Sequence, residues 1–205
     1  MPYRRRYKRR RQNVRSLVKR EIDAQAEKKF KIVSWSGKDI PSSAGTPVDQ
    51  VVSTTDQGTG QQYRIGNMTM LTGLYADLWF TIQDVGAGTG GVPQFTAIRM
   101  LLYIPKEASS PLASMAFNGA PDTDKYTVLM DKLITLDQYN LIKRRQLKFS
   151  WTRNGRRGIH QQFSGSAGTT VTKNPVYLYL VSDYAGANTL PPHVDGYIKC
   201  YFKDS

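Results

Sequence analysis

The chain predicts an all-β body preceded by a short helix and an arginine-rich arm, and three observations carry that reading. From Phe30 onward apolar residues recur with a period of two. Glycine-rich and Asn-Gly punctuation separates these alternating runs. Basic charge is gathered at the front of the chain rather than spread along it.

The arm comes first. Ten of the first twenty residues are Lys or Arg and none is acidic. The formal net charge is +13 over 205 residues; 13 less 10 leaves +3 for everything after residue 20. A nearly neutral body therefore carries a cationic extension. Like charges this close repel, and residues 1–13 hold only Tyr3 and Tyr7 as bulky hydrophobes, too little apolar surface to offset the entropy of ordering a backbone. The expectation is a segment disordered until it meets phosphate. Arg4, Arg5, Arg6, Lys8, Arg9, Arg10 and Arg11, with Arg15, Lys19 and Arg20 just behind, are the expected nucleic-acid-binding residues. Arginine suits the task because its planar fork makes paired bonds to phosphate and stays charged.

Between residues 14 and 29 the pattern changes. Val14, Leu17, Val18 and Ile22 recur at roughly helical spacing, and Ala24 and Ala26 favour helix, so a short amphipathic helix is expected over 14–29.

The body, residues 30–205, reads as one domain. Strands are expected near 30–36, 63–83, 95–104, 126–136, 144–152, 157–164, 175–183 and 194–203, with a candidate extra one at 48–53. Leu74, Ala76, Leu78, Phe80 and Ile82 alternate with Tyr75, Asp77, Trp79, Thr81 and Gln83, and Ile198, Cys200 and Phe202 with Tyr197, Lys199, Tyr201 and Lys203. These are half-buried strands. Runs 95–104 and 176–181 are apolar on both faces, as central strands are. Asn154-Gly155 suggests a tight hairpin between 144–152 and 157–164, and 108–118 is the one later place for a short helix. Eight antiparallel strands with long connections admit a jelly roll, an immunoglobulin-like sandwich or a barrel.

Catalytic chemistry is sparse. The two histidines, His160 and His193, have no partner at ligand spacing, and no GxSxG, HExxH or GxxxxGK occurs. The glycines at 86–91 lie between strands with no helix after them, which suits a loop better than a phosphate cradle. Asp122 with Asp124, and Asp183 with Asp195, are acid groupings of the kind calcium at a subunit contact would use, though loop acids are the simpler reading. Cys200, the single cysteine, alternates with Ile198 and Phe202 as a small buried hydrophobe. No enzyme, cofactor or metal site is expected. No apolar run reaches the ~18–20 residues that span a bilayer, so the expectation is a soluble protein with no signal peptide and no membrane partner. The arm's composition suits a nuclear-import address. A second basic cluster at 141–157 includes Lys143, Arg144 and Arg145, expected to face nucleic acid, and Arg153, Arg156 and Arg157 at the anticipated hairpin tip. Trp151 keeps phase with Leu147 and Phe149 and is expected to fill the core.

This order of features, together with YRIGNMTMLTGLYADLWFTI (63–82), FTAIRMLLYIPKE (95–107) and DKYTVLMDKLITL (124–136), resembles the capsid proteins of small circular single-stranded DNA viruses. The likeness is to the circovirus, nanovirus and geminivirus group, and the chain is also similar to the satellite tobacco necrosis virus coat protein. Its most specific pieces are Arg64, Gly66 and Asn67, opening a long strand, and Val128, Leu129, Asp131 and Lys132. The resemblance implies a single jelly roll with sheets BIDG and CHEF, assembled into an icosahedral (T=1) shell of about 60 copies. The arm would point inward on a single-stranded genome, and the chain would reside in the virion and, during assembly, in the host nucleus with an import receptor. It places 30–36, 194–203, 95–104 and 157–164 in one sheet and 63–83, 175–183, 126–136 and 144–152 in the other. The competing reading is a non-viral nucleic-acid-binding module with a basic tail on a β-sandwich.

Overall fold

A computed structural model describes residues 14, 17, 28–42, 48–83, 95–106, 112, 117–137, 144–152, 158–165, 170–183 and 191–204. Alternating sequence becomes strand in ten places: β1 (Lys29–Asp39), β2 (Val48–Val51), β3 (Met68–Thr81), β4 (Phe95–Pro105), β5 (Tyr126–Asp137), β6 (Arg144–Thr152), β7 (Ile159–Phe163), β8 (Val171–Lys173), β9 (Tyr177–Ser182) and β10 (His193–Asp204). All ladders between them are antiparallel. Among the described residues from Lys28 onward the fold is all-β, and its strands form two sheets.

One sheet runs β1-β10-β3, and β3 is then continued on its far edge by both β6 and β7, with β8 beyond β7. The other runs β2-β9-β4-β5. Facing side chains of the two sheets meet in one apolar cluster. Leu74, Ala76, Leu78, Phe80, Ile198 and Cys200 come from the first sheet, and Ile98, Met100, Leu102, Ile134, Leu178 and Leu180 from the second. Full burial of such side chains contributes roughly 1.5–3 kcal/mol each, so the period-two pattern also sets which face of each strand turns inward. Cys200 is buried there, its thiol donating to the Val52 carbonyl at 3.0 Å, and burial pushes its pKa up. Leu147, Phe149 and Trp151 pack against the same cluster, as their shared phase requires. Strands β4 and β9, apolar on both faces, are the two central strands of their sheet.

Four expectations need correction. First, 95–104 does not join 30–36 and 194–203; it pairs with β5 and β9, while 63–83 supplies β3 beside β10, and 144–152 pairs with β3. The cause is β2, four residues too short to show an alternating pattern, whose pairing with β9 makes it a full member of the second sheet. Second, β6 and β7 form no hairpin about Asn154-Gly155. Thr152 lies opposite Gly73 and Ile159 opposite Leu71, so both strands lie end to end along one edge of β3, and residues 153–157, outside the described residues, join their adjacent ends. Gly158 makes the return feasible, since a Cβ there would collide with Met70 Cγ and come within 2.7 Å of the Leu71 carbonyl oxygen. Third, Lys29 is not the end of a helix but the first residue of β1; of the expected helix, Val14 and Leu17 have helical backbone and are exposed, and the rest up to residue 27 lies outside the described residues. Fourth, Arg64, Gly66 and Asn67 do not open a strand, because β3 starts at Met68.

Arg64 instead plugs the loop before β3. Its side chain is fully buried, with Nε donating to the Thr55 carbonyl at 3.3 Å, Nη1 to the Gly66 carbonyl and to Asn67 Oδ1 at 3.2 Å, and Nη2 to the Gly165 carbonyl at 3.2 Å. The Phe163 ring covers the guanidinium at 4.4 Å. Burial lowers the Arg64 pKa, partly countered by Asp204 and Asp56, but an arginine keeps its charge through such a shift. One side chain thus ties residues 55–67 to the turn after β7.

The β10–β3 ladder contains a tight backbone approach. Gly196 has φ of 115°, and a Cβ there would overlap the Asp77 carbonyl oxygen. On the other side, β1 shifts register between Trp35 and Lys38, and the Gly37 amide donates to Asp195 Oδ1 at 2.7 Å. Gly196→Ala is expected to destabilise the domain by ~3 kcal/mol or more, since it meets both strain and overlap. Urea unfolding checks this: the midpoint should fall with the slope unchanged, and a midpoint equal to wild type would contradict the packing described.

Candidate nucleic-acid interface

Arg4, Arg5, Arg6, Lys8, Arg9, Arg10, Arg11, Arg15, Lys19, Arg20 and Lys143 lie outside the described residues, as do Arg153, Arg156 and Arg157. The structure does describe where the arm enters the body. Lys29 is buried, with Nζ 2.8 Å from Asp204 Oδ2, an ion-pair distance without hydrogen-bond alignment. The next amide, of Phe30, donates to the Gln61 carbonyl at 3.1 Å, and Lys31 Nζ pairs with Asp56 at 3.1 Å. Covalent continuity therefore sets the arm's root at one end of the first sheet, where Lys29 faces Phe202.

Arg144 and Arg145, expected to act together, point to opposite sides of β6. Arg145 crosses toward the second sheet, its Nη1 donating to Thr135 Oγ1 at 3.1 Å and to the Thr135 carbonyl at 3.3 Å. Arg144 faces outward with its guanidinium 4.4 Å above the Trp79 ring. Alternation along a strand makes this division unavoidable for adjacent residues.

Around Arg144 the outward face of β1-β10-β3-β6 is built in rungs. Phe30, Tyr201, Gly73 and Thr152 form one; Ile32, Lys199, Tyr75 and Ser150 the next; Ser34, Tyr197, Asp77 and Lys148 the third. Trp79, between Asp195 and Gln146, follows. Lys199 Nζ lies 3.9 Å from the Phe30 ring centroid and 5.1 Å from that of Tyr201, and the Tyr75 and Tyr197 centroids are 6.1 Å apart. The acids on this face are engaged: Asp77 accepts from Gln146 Nε2 at 2.7 Å and pairs with Lys148 at 3.9 Å, and Asp195 accepts the Gly37 amide. Neither Arg144 nor Lys199 makes an ion pair among the described residues. Sequence reasoning missed these aromatic residues as a group. Their signal was present, as the outward phase of 74–83 and 197–203, but those two runs were expected in different sheets.

The second sheet's outward face is covered over β4 and β9, while Leu133 of β5 stays exposed. Leu101, Tyr103, Tyr179 and Val181 are buried there beneath Leu112 and Phe117. Tyr103 stacks on Tyr177 at 5.3 Å and accepts the Leu112 amide at 2.7 Å. Arg99 pins the cover, with Nε and Nη2 forked onto Asp131 at 3.0 and 2.6 Å and Nη1 donating to the carbonyls of Phe117 (2.9 Å) and Gly119. Asp131 raises the Arg99 pKa through that hydrogen bond. Phe117 and Asn118, within the expected 108–118 helix, form a turn, and Leu112 belongs to no helix.

The remaining polar candidates stay apart. His160 is exposed on β7, and His193 Nε2 lies 2.6 Å from Asp39 Oδ1 beside Gln83. Asp122 accepts the Asp124 amide at 2.9 Å in a local turn, a hydrogen bond that lowers its pKa, while Asp183 accepts the Ala97 amide, far from the role of Asp195. No group of three or more His, Cys, Asp or Glu converges among the described residues. No protein-family model matches the chain, and comparison with curated proteins finds no match.

The opposite placement of the two arginines has an energetic signature. Arg144→Ala and Trp79→Leu are expected to couple by ~0.5–1 kcal/mol in a double-mutant cycle, whereas Arg145→Ala and Trp79→Leu should simply add. Urea unfolding of the single and double variants measures both cycles.

Proposed function

We propose that this chain is a structural capsid protein that assembles with copies of itself into a small icosahedral shell and packages single-stranded nucleic acid through its arginine-rich arm. The observation that carries the reading is charge segregation: +10 of a net +13 sits in the first twenty residues, ahead of a nearly neutral β body. Such an arm neutralises phosphate by counterion release, independent of base sequence.

Strand order supports a jelly roll for the body. With the letters B to I given to β1, β2, β3, β4, β5, β6, β9 and β10, the sheet orders β1-β10-β3-β6 and β2-β9-β4-β5 become B-I-D-G and C-H-E-F. In this reading β7 and β8 extend G, and β2 is the C strand. Single-stranded DNA is the cargo we favour, with assembly in a nucleus reached through the arm. The body needs no catalytic centre for this work, and the resemblance stated above supplies none.

Two measurements test the reading. Purified full-length protein should give uniform closed shells by electron microscopy, and a small monomer by light scattering would favour a tailed nucleic-acid-binding module instead. Removing residues 1–12 takes away seven cations. The expected result is shells that still form but hold less nucleic acid, with the log–log salt slope of single-strand binding reduced by about 5, at ~0.7 per cation. Unchanged content and slope would place the packaging charge elsewhere.

A further inference from the structure

The outward face of β1-β10-β3-β6 has a composition that solubility does not require. Phe30, Tyr75, Trp79, Tyr197 and Tyr201 lie on three adjacent strands, with rings partly exposed, Tyr201 at 37 %. Two of its cations rest on rings, Lys199 over Phe30 and Tyr201 and Arg144 over Trp79, while Lys148 pairs with Asp77. A cation held by an aromatic face keeps its full charge toward solvent, and the acids nearby are already bound within the sheet. The other sheet shows what this protein does with aromatics meant to be covered: Tyr103 and Tyr179 are fully buried under a segment pinned by Arg99.

Position favours one occupant. Phe30 immediately follows Lys29, where the arm joins the body, so the chain that carries the ten cations enters the sheet beside Tyr201 and Lys199. Exposed rings interleaved with cations that make no ion pair among the described residues, Lys199 and Arg144, match the alternation of bases and phosphates in a single strand, where every base offers a π face regardless of sequence. We propose that this sheet face is a sequence-tolerant base-stacking platform for single-stranded nucleic acid, with Tyr75, Tyr197 and Tyr201 taking base faces and Lys199 and Arg144 the phosphates beside them. The proposal rests on the packaging reading and deepens it. The arm supplies charge without regard to bases, and the sheet face contacts the bases themselves.

The test compares two probes on the full-length protein at fixed salt: an oligothymidylate of about 12 nucleotides and an abasic strand of equal length and charge. Wild type should bind the oligothymidylate about tenfold or more tightly, with quenching of tryptophan emission that the abasic strand does not cause. Tyr75→Ala with Tyr197→Ala should bring the two affinities together while leaving the salt slope unchanged; Tyr75→Phe with Tyr197→Phe should keep the preference. Equal binding of both probes by wild type overturns the platform, needs no variant to fold, and leaves the arm's packaging role intact. Binding of neither probe overturns the packaging reading and the platform with it. An alanine pair that keeps the probe preference but loses shell formation would assign the face to contacts between copies, and would likewise overturn the platform.

Discussion

The ladder between β10 and β3 is the constraint on which the rest of this structure depends. It runs from His193 opposite Thr81 to Asp204 opposite Thr69, with one register shift between Tyr201 and Phe202, and both strands alternate along the stretch from His193 to Cys200 and from Leu74 to Thr81. Because a one-residue slip would turn every inward side chain outward, the burial of Leu74, Ala76, Leu78, Ile198 and Cys200 holds the register. The overlap that any side chain at Gly196 would make with Asp77 adds a local pin toward the His193 end of the ladder. With that register set, β1 on one side and β6 and β7 on the other have only one way to present their apolar phase to the same core.

The same register that buries one face composes the other. Tyr75 and Tyr197 approach because Asp77 faces Tyr197 and Tyr75 faces Lys199, and the two tyrosines are diagonal neighbours across that pairing. The two sheets then treat their outer surfaces differently. Where β4 and β9 are apolar on both sides, Leu112 and Phe117 pack over them, and Arg99, forked on Asp131, holds the Phe117 and Gly119 carbonyls. Where the outward residues are aromatic, basic and polar by turns, the described chain provides no comparable cover. On the proposed reading, that difference separates a face built for stability from one left for the packaged strand.

Among the described residues arginine has three roles, separated by the partners each side chain reaches. Arg64 is fully enclosed, satisfied by three carbonyls and an amide oxygen, and acts as a structural cross-link. Arg99 and Arg145 fasten one segment to another from the surface. Arg144 lies over the Trp79 ring and makes no ion pair among the described residues. Composition cannot distinguish these cases, because the difference lies in which acceptors the fold brings within reach.

The sequence by itself determined the all-β class, the place of eight strands to within a few residues, the double-sided burial of β4 and β9, the inward phase of Leu147, Phe149 and Trp151, and the concentration of charge in the first twenty residues. All of these depend on local alternation or on counting, and neither requires knowing a strand's neighbour. Only the tertiary structure decided that 68–81 lies beside 193–204, that Arg64 is an internal plug, and that β6 and β7 share an edge in place of a hairpin. It also promoted the four residues of β2 to a full strand, and so moved 95–105 into the opposite sheet. The physical reason is common to all four. Period two tells each residue which way it faces, but antiparallel strands of similar amphipathicity are interchangeable until long-range packing pairs them, and the outward aromatic face exists only once that pairing is made.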